Sequence, residues 1–120
     1  MQKEFFHLCK IVSNGNICST KYGQRHEMIV EIMKTTSEMF ERVLKCKVIT
    51  WKETAKIAEG FRNGQKITVF FTKHKQDIDY KQNPILAVTA TKVFKTTKRE
   101  ENMYYITSSG QYDPFTRLIK

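Results

Sequence analysis

The sequence has little of what membrane proteins, secreted proteins and metalloproteins need. Across its 120 residues, no apolar run approaches the ~20 residues that a membrane-spanning helix requires. The opening residues, MQKEFFHLCK, contain neither a long apolar segment nor a small-residue cleavage site, so we expect no secretory signal. Cys9, Cys18 and Cys46 form an odd set without the spacing of metal ligands. Reduced cysteines in a cytoplasmic protein are therefore expected.

Motifs for catalysis are equally scarce. The glycines include no close pair with the spacing of a phosphate-binding loop, and the three histidines are far apart in the sequence. Asp77 and Asp79 alternate and could hold Mg²⁺ for a nuclease. Without further acids nearby, acids that balance the lysines of their own loop are the simpler interpretation. We therefore predict a protein that is not an enzyme and that has no cofactor and no metal site.

Positive charge is what the sequence has in excess. Lysine and arginine number 21 against 12 acids, a net charge of +9. The excess is concentrated in residues 51–95, which hold nine basic and four acidic side chains. Such a field indicates a polyanionic partner. The alternative is that the lysines only keep the surface soluble.

Residues 40–72 predict a strand, a short helix and a second strand. Alternation in 40–51 places Leu44, Cys46 and Val48 on one face and Lys45, Lys47, Ile49 and Trp51 on the other. From Lys52 the apolar spacing changes to three and four, which is typical of an amphipathic helix that ends near Gly64. Residues 65–73 alternate again and predict the next strand.

Three further strands are predicted at residues 5–13, 26–34 and 85–94. In the second of these, Glu27 and Glu31 share the face opposite Met28 and Val30, which argues against phosphate contact on that face. Residues 17–25 and 73–84 are expected to be polar loops, and 96–120 a tail with a possible extra strand at 103–107. That strand would be packed or would cross to another subunit.

The segment VITWKETAKIAEGFRNGQKITVFF resembles the middle of the bacterial and phage single-stranded-DNA-binding protein family. The family places an aromatic residue at the end of strand three, here Trp51, before a helix of the form A-x-x-A, here Ala55 and Ala58. The resemblance implies a mainly β fold, a five-stranded OB-fold barrel with one short helix between strands 3 and 4. The barrel would occupy residues 1–95, and such barrels assemble as dimers or tetramers, here through an apolar patch such as Ile49 or Phe70.

Two positions depart from the family pattern. A second stacking position of the family, earlier on the same strand, is Lys45, which implies fewer stacked bases and more phosphate contact. The tail contains Asp113-Pro114-Phe115 but ends in Thr116-Arg117-Leu118-Ile119-Lys120 and is basic at its tip, where the family has an acidic tip that recruits replication partners. That recruiting role is therefore not carried over. The short chain resembles phage or mobile-element versions acting in a bacterial host.

These observations predict sequence-nonspecific binding of single-stranded DNA in replication, recombination or repair. The candidate residues offer either a ring for base stacking or a cation for phosphate. They are Trp51, Lys45, Lys47, Phe70, Lys73, His74, Lys75, Tyr80, Lys81, Tyr22 and Arg25. An RNA-binding OB module and an adaptor that binds protein partners remain alternatives. Trp51 alone at a strand end is also compatible with simple packing, and one of Phe70 and Phe71 must face the core.

Overall fold

The strands form one sheet that closes into a barrel, because the strand at one edge also pairs with a strand near the other edge. The computed structural model describes residues 4–98. Its elements are β1 (Phe5–Asn14), β2 (Cys18–Thr20), β3 (Gly23–Thr35), a 3₁₀ turn (Glu38–Phe40), β4 (Lys45–Trp51), α1 (Lys52–Glu59), β5 (Lys66–Ile78) and β6 (Pro84–Lys95). Strand β1 is antiparallel to both β3 and β5, and a short parallel pairing of β4 with β6 completes the ring.

The predicted OB-fold plan is confirmed, with one added strand. Strand β2 is only three residues long and lies inside the predicted 17–25 loop, where it pairs with the beginning of β3. Helix α1 therefore lies between the third and the fourth of the five long strands. It is the only helix longer than a single turn in residues 4–98, and no helix there has the length and apolarity to cross a membrane. The predicted strand at 103–107 and the rest of the tail lie outside the described residues.

Two apolar clusters hold the barrel together. The larger one fills the interior and combines residues from all five long strands with Phe40 and the helix residue Ala58. The smaller one consists of Phe6, Leu8 and Phe70, with Met33 and Phe94 packed against it. Strand β1 contributes to both, because Cys9 and Ile11 lie in the first cluster and Phe6 and Leu8 in the second. Burial on both faces explains why alternation in β1 does not identify the inward face.

The predicted strand at 40–51 begins later than expected. Residues 38–40 form a 3₁₀ turn, in which the Phe40 N–H donates to the Ser37 carbonyl at 3.0 Å. The Phe40 ring is fully buried against His7 and Phe71, with ring centroids 4.6 and 5.6 Å away. The ring thus reaches the core from a turn, and Leu44, predicted to face inward, is 77% exposed.

Strand β5 continues well past the predicted end at residue 73. Its outer part pairs with β6 as far as Ile78 opposite Pro84, so only residues 79–83 form the turn. In that turn Asp79 Oδ1 accepts the N–H groups of Lys81 and Asn83, both at 2.9 Å. Residues 73–77 are almost all polar and exposed and lack an apolar alternation, which is why they resemble a loop in sequence.

Asn14 joins β1, the end of α1 and the buried His26. Its Nδ2 donates to the carbonyl of Phe61 at 2.8 Å and to that of Ala58 at 3.0 Å, and the Ala58 carbonyl also accepts the Phe61 N–H. Its Oδ1 therefore faces His26 Nε2 at 2.6 Å, so that nitrogen carries the proton. The other ring nitrogen, Nδ1, accepts from the Thr50 hydroxyl at 3.0 Å.

Replacing Asn14 with alanine is expected to lower the free energy of unfolding by about 2–3 kcal/mol, because the buried His26 imidazole N–H and the Phe61 carbonyl lose their hydrogen-bond partner. Urea denaturation at pH 7 measures the change. Asn16→Ala is the matched control, since Asn16 is exposed in the same turn and should change stability by less than about 0.5 kcal/mol. Equal midpoints for the two variants would contradict the assigned role.

Candidate nucleic-acid interface

The outer face of β3 and β4 brings the predicted Trp51 together with residues from distant parts of the sequence. In the antiparallel register Trp51 lies opposite Arg25, Ile49 opposite Glu27, and Lys47 opposite Ile29. Cys46 and Val48 pack in the interior, so the alternate residues Lys45, Lys47 and Trp51 share the outer face, as predicted. Arg25, expected in a loop, is instead the strand neighbour of Trp51.

Trp51 and Arg25 form the aromatic and cationic end of this face. The Arg25 guanidinium carbon lies 5.7 Å from the centre of the indole, within the range of a cation–π interaction. Trp51 is half-buried, so part of its ring remains accessible. A partly exposed indole beside a guanidinium offers a stacking surface and a positive charge at one place.

The turn between β2 and β3 extends the same end of the face. Tyr22 is 70% exposed, and the Lys21 ammonium lies 5.1 Å from its ring. Lys52, directly after Trp51, has a left-handed backbone with φ of 53°, which is strained for a lysine. Its aliphatic stem passes over Gly23, where an added Cβ would lie 3.4 Å from Lys52 Cε.

A chain of four charges crosses the middle of the face. The Lys47 ammonium lies 3.0 Å from Glu27 Oε1 and 3.5 Å from Asp77 Oδ2, and Arg25 is paired with the other oxygen of Glu27. The four side chains, Arg25, Glu27, Lys47 and Asp77, carry no net charge together. Lys47, predicted to contact phosphate, is only 8% exposed and already paired with two carboxylates.

The carboxylates of Glu27 and Asp77 are both held in the ionised form. Burial alone would raise the pKa of Glu27, but hydrogen bonds and charges from Lys47 and Arg25 outweigh it and lower that pKa. The Ile78 N–H donates to Asp77 at 2.8 Å and, together with the Lys47 charge, lowers the pKa of Asp77. The middle of the face is therefore acidic as well as basic near neutral pH.

The hairpin of β5 and β6 carries the remaining predicted cations. Lys73, Lys75 and Lys81 are exposed, and none of them forms an ion pair with another residue in 4–98. Lys45, on β4, is likewise exposed and unpaired within that range. Tyr80 is 77% exposed at the turn, with the Lys81 ammonium 5.9 Å from its ring. These side chains surround the face with accessible positive charge.

Phe70 and His74 lie elsewhere, against different neighbours. Phe70 is buried in the smaller cluster, 5.6 Å from Phe6 and 5.5 Å from Phe94 between ring centroids. A register shift between Phe71 and His74 breaks the alternation of β5. His74 consequently packs edge-on to Phe40 at 5.9 Å. The structure brings neither side chain to the face that holds Trp51.

Sequence reasoning missed several residues of this face. Lys21 and Lys52 are neighbours of the candidates Tyr22 and Trp51, so adjacency was an available signal. Asp77, expected to balance the lysines of its own loop, is instead paired with Lys47 on another strand. Asp79 caps the hairpin turn, and within residues 4–98 no group of three His, Cys, Asp or Glu side chains could hold a metal ion.

Comparisons with known proteins identify the fold. No protein-family model and no curated protein matches the sequence. The structure is similar to that of a small single-stranded DNA-binding protein from Streptomyces coelicolor, with a TM-score of 0.60 and 10% identity, covering 82% of this chain and 98% of that one. It is also similar to the wild-type single-stranded DNA binding protein from Thermus aquaticus, with a TM-score of 0.53 and 13% identity, covering 80% of this chain and half of that one. At these identities the likeness establishes the OB fold.

Proposed function

We propose that this protein binds single-stranded DNA without sequence preference on the outer face of β3 and β4. The observation that carries the proposal is the partly exposed indole of Trp51 beside the Arg25 guanidinium, at the end of that face. Every base has a π face, so a stacking ring binds bases without reading their identity. The similarity to two structures of single-stranded-DNA-binding proteins supports the same conclusion.

Binding would combine stacking with phosphate contacts. A base stacked on Trp51 contributes ~1–3 kcal/mol. Phosphates on either side would lie against the accessible cations around the face, which release bound counterions and make affinity depend on salt. These cations are Lys21, Lys45, Lys52, Lys73, Lys75 and Lys81. Nothing in this mechanism requires a covalent step or a cofactor.

The wider role follows from the proposed ligand. A protein that coats single strands serves replication, recombination or repair, and we propose that role in the cytoplasm of a bacterial host. Assembly into dimers or tetramers is part of the proposal, although Phe70 and Ile49, the patch expected to mediate it, are 4% and 1% exposed in the single chain. Sedimentation of the purified protein, with and without oligonucleotide, measures the oligomeric state.

Tryptophan fluorescence tests the proposal directly, since Trp51 is the only tryptophan. Adding oligo-dT at low salt should quench the emission, and added NaCl should reverse the quenching. Binding seen by anisotropy of a labelled oligonucleotide with unchanged emission would place the site on another part of the barrel. Absence of binding by both methods at low salt would leave a protein-binding adaptor, and preferential competition by oligo-U would indicate RNA.

Replacing Asp77 with asparagine is expected to tighten oligo-dT binding roughly threefold to tenfold at low salt, because Lys47 loses one of its two carboxylate partners. The slope of log affinity against log salt should steepen slightly, because the variant removes a carboxylate that opposes the phosphates of the strand. Asparagine keeps the acceptor for the Ile78 N–H, so the hairpin is preserved. Anisotropy titrations at several salt concentrations measure both quantities.

Glu53→Gln is the matched control for Asp77→Asn. It makes the same change in net charge, but Glu53 lies on the exposed side of α1, paired with Lys56 at 3.3 Å. Its effect should be below about twofold, since Glu53 does not pair with Lys47 and an exposed ion pair contributes little and is screened by salt. Equal tightening in both variants would mean that the gain comes from net charge and not from the freed Lys47.

A further inference from the structure

A cavity of about 330 Å³ lies between the β5–β6 turn and the outer face of β3. This volume is at the lower end of the ~300–1,000 Å³ typical of small-molecule sites. The cavity adjoins the face that carries Trp51, because Glu27 and Lys47 both line it. Trp51 itself is not part of the lining, so a group held here would be separate from one stacked on the indole.

The cavity has one wall of rigid backbone and one of exposed apolar side chains. Gly15 donates its N–H to the Glu27 carbonyl at 3.1 Å, and a Cβ at Gly15 would lie only 2.6 Å from that oxygen. A side chain is therefore not tolerated at this position, and Gly15 contributes only backbone to the cavity. The opposite side holds Ile78, which is 50% exposed, and Tyr80, which is 77% exposed.

The floor of the cavity presents a donor next to an acceptor. The Lys47 ammonium has three N–H groups, and Glu27 and Asp77 occupy two of them. Each Glu27 oxygen meets one cation and keeps a further lone pair. A ligand edge that carries both a donor and an acceptor would satisfy both groups at once.

Charge decides which part of a nucleic acid fits this cavity. Its charged lining residues are Glu27, Asp79 and Lys47, a net charge of −1, and Asp77 is bound to the same ammonium. Phosphate is repelled by such a site. A nucleobase is neutral, with apolar faces for the walls and hydrogen-bonding groups on its edge for the floor. Because every base carries both donors and acceptors on that edge, the site does not require one particular base.

We propose that this cavity receives one unstacked nucleobase of the bound strand. The edge of the base meets Glu27 and Lys47, and its faces lie between the backbone wall at Gly15 and the side chains of Ile78 and Tyr80. Phosphates stay outside, at exposed hairpin lysines such as Lys75 and Lys81. The inference rests on the proposed single-strand binding and adds a second base site that does not involve Trp51.

The test on the protein itself uses amide NMR spectra of isotope-labelled wild type. Thymidine, which has a base but no phosphate, should shift the amide signals of Gly15, Lys47 and Tyr80. Deoxyribose 5-phosphate, which has a phosphate but no base, should leave them in place. Shifts at these amides with the sugar phosphate, or none with thymidine up to its solubility limit, would overturn the base pocket.

A cavity-filling variant tests the same site with oligonucleotides. Ile29 also lines the cavity, and Ile29→Trp should weaken oligo-dT binding roughly fivefold to twentyfold by anisotropy. Ile57→Trp, at a 53% exposed position on α1, should bind as the wild type does.

A folded Ile29→Trp protein with wild-type affinity would overturn the pocket while leaving the proposed function intact. If wild type itself binds no oligonucleotide, the proposed function fails. Should Ile29→Trp not fold, the thymidine titration still decides.

Discussion

Replacing Trp51 with alanine is expected to weaken binding of oligo-dT by about 5–150-fold, the equivalent of the ~1–3 kcal/mol that one stacked base contributes. The indole is the large accessible ring on the β3–β4 face, and it lies directly opposite Arg25 in the register. The salt dependence should change little, because the substitution removes no cation. Anisotropy of a labelled oligonucleotide at two salt concentrations measures both effects.

Trp51→Phe and Ile57→Ala complete this experiment. Phenylalanine keeps a stacking ring at position 51 and should restore part of the affinity, which a purely structural role would not require. Ile57→Ala removes an exposed apolar side chain from α1 and should leave binding unchanged. Urea denaturation of each variant separates a loss of affinity from a loss of fold. A folded Trp51→Ala protein with wild-type affinity would exclude this face as the stacking site.

Lowering the pH from 7 to 4.5 is expected to reduce the free energy of unfolding by about 2–3 kcal/mol through His7 alone. Burial lowers the pKa of His7 from 6.5 to about 3 in the folded protein. Above pH 6.5 the imidazole is neutral in both states, so its full contribution is present there. Between 6.5 and 3 only the unfolded chain takes up the proton, and stability falls by about 1.4 kcal/mol per pH unit.

The surroundings of His7 explain why the folded protein excludes that proton. The ring is fully buried between Phe40 and Phe71, with centroids 4.6 and 4.4 Å away. Nδ1 lies 2.8 Å from the Thr35 hydroxyl, and Nε2 has no hydrogen-bond partner within the described part of the chain. An imidazolium would therefore bring a charge and an unsatisfied N–H into an apolar site.

Urea denaturation of wild type and His7→Leu at pH 7, 6, 5 and 4.5 tests this linkage. Between pH 6 and 4.5 the free energy of unfolding of the variant should change less steeply with pH, by roughly the 1.4 kcal/mol per pH unit that one proton contributes. A smaller slope should remain, because burial also lowers the pKa of His26 against the raising effects of Glu59, Gly15 and Glu27. Glu27 and Asp77 have lowered pKa values, so their contributions are lost mainly as the pH falls below the ordinary values of 4.5 and 3.8. Identical slopes in the two proteins would contradict the prediction.

Much of the fold could be predicted because its signals are local. Alternation in the second half of 40–51 and the change of period after Trp51 predicted the end of β4 and the start of α1, whereas α1 ends at Glu59, before the predicted end near Gly64. The first half of that segment and residues 73–78 were assigned wrongly for opposite reasons. Phe40 is an aromatic residue, a type common in strands, but it lies in a turn. The outer part of β5 is a strand that has no apolar face. Backbone pairing with β6 forms that strand, and side-chain patterns do not record such pairing.

The candidate site was predictable only in part. Lys45, Lys47 and Trp51 share a face because alternation along one strand is a property of that strand alone. Whether each of them is accessible depends on the strands beside it. Lys45 stays exposed next to Glu31 in the register, whereas Lys47 is buried between two carboxylates from β3 and β5. Phe70 likewise alternates away from the interior and is still covered, by a second cluster that involves β1 and β6.

By itself the sequence determined the net charge of +9, the strand and helix periods of the central segment, and the position of the only tryptophan at a strand end. Tertiary structure alone decided that Arg25 lies beside Trp51, that Glu27 and Asp77 neutralise Lys47, and that a cavity forms under the β5–β6 turn. The physical reason is that periodicity and composition are properties of single segments. Ion pairs, burial and cavities depend instead on the register and curvature of strands far apart in the chain, which only closure of the barrel brings together.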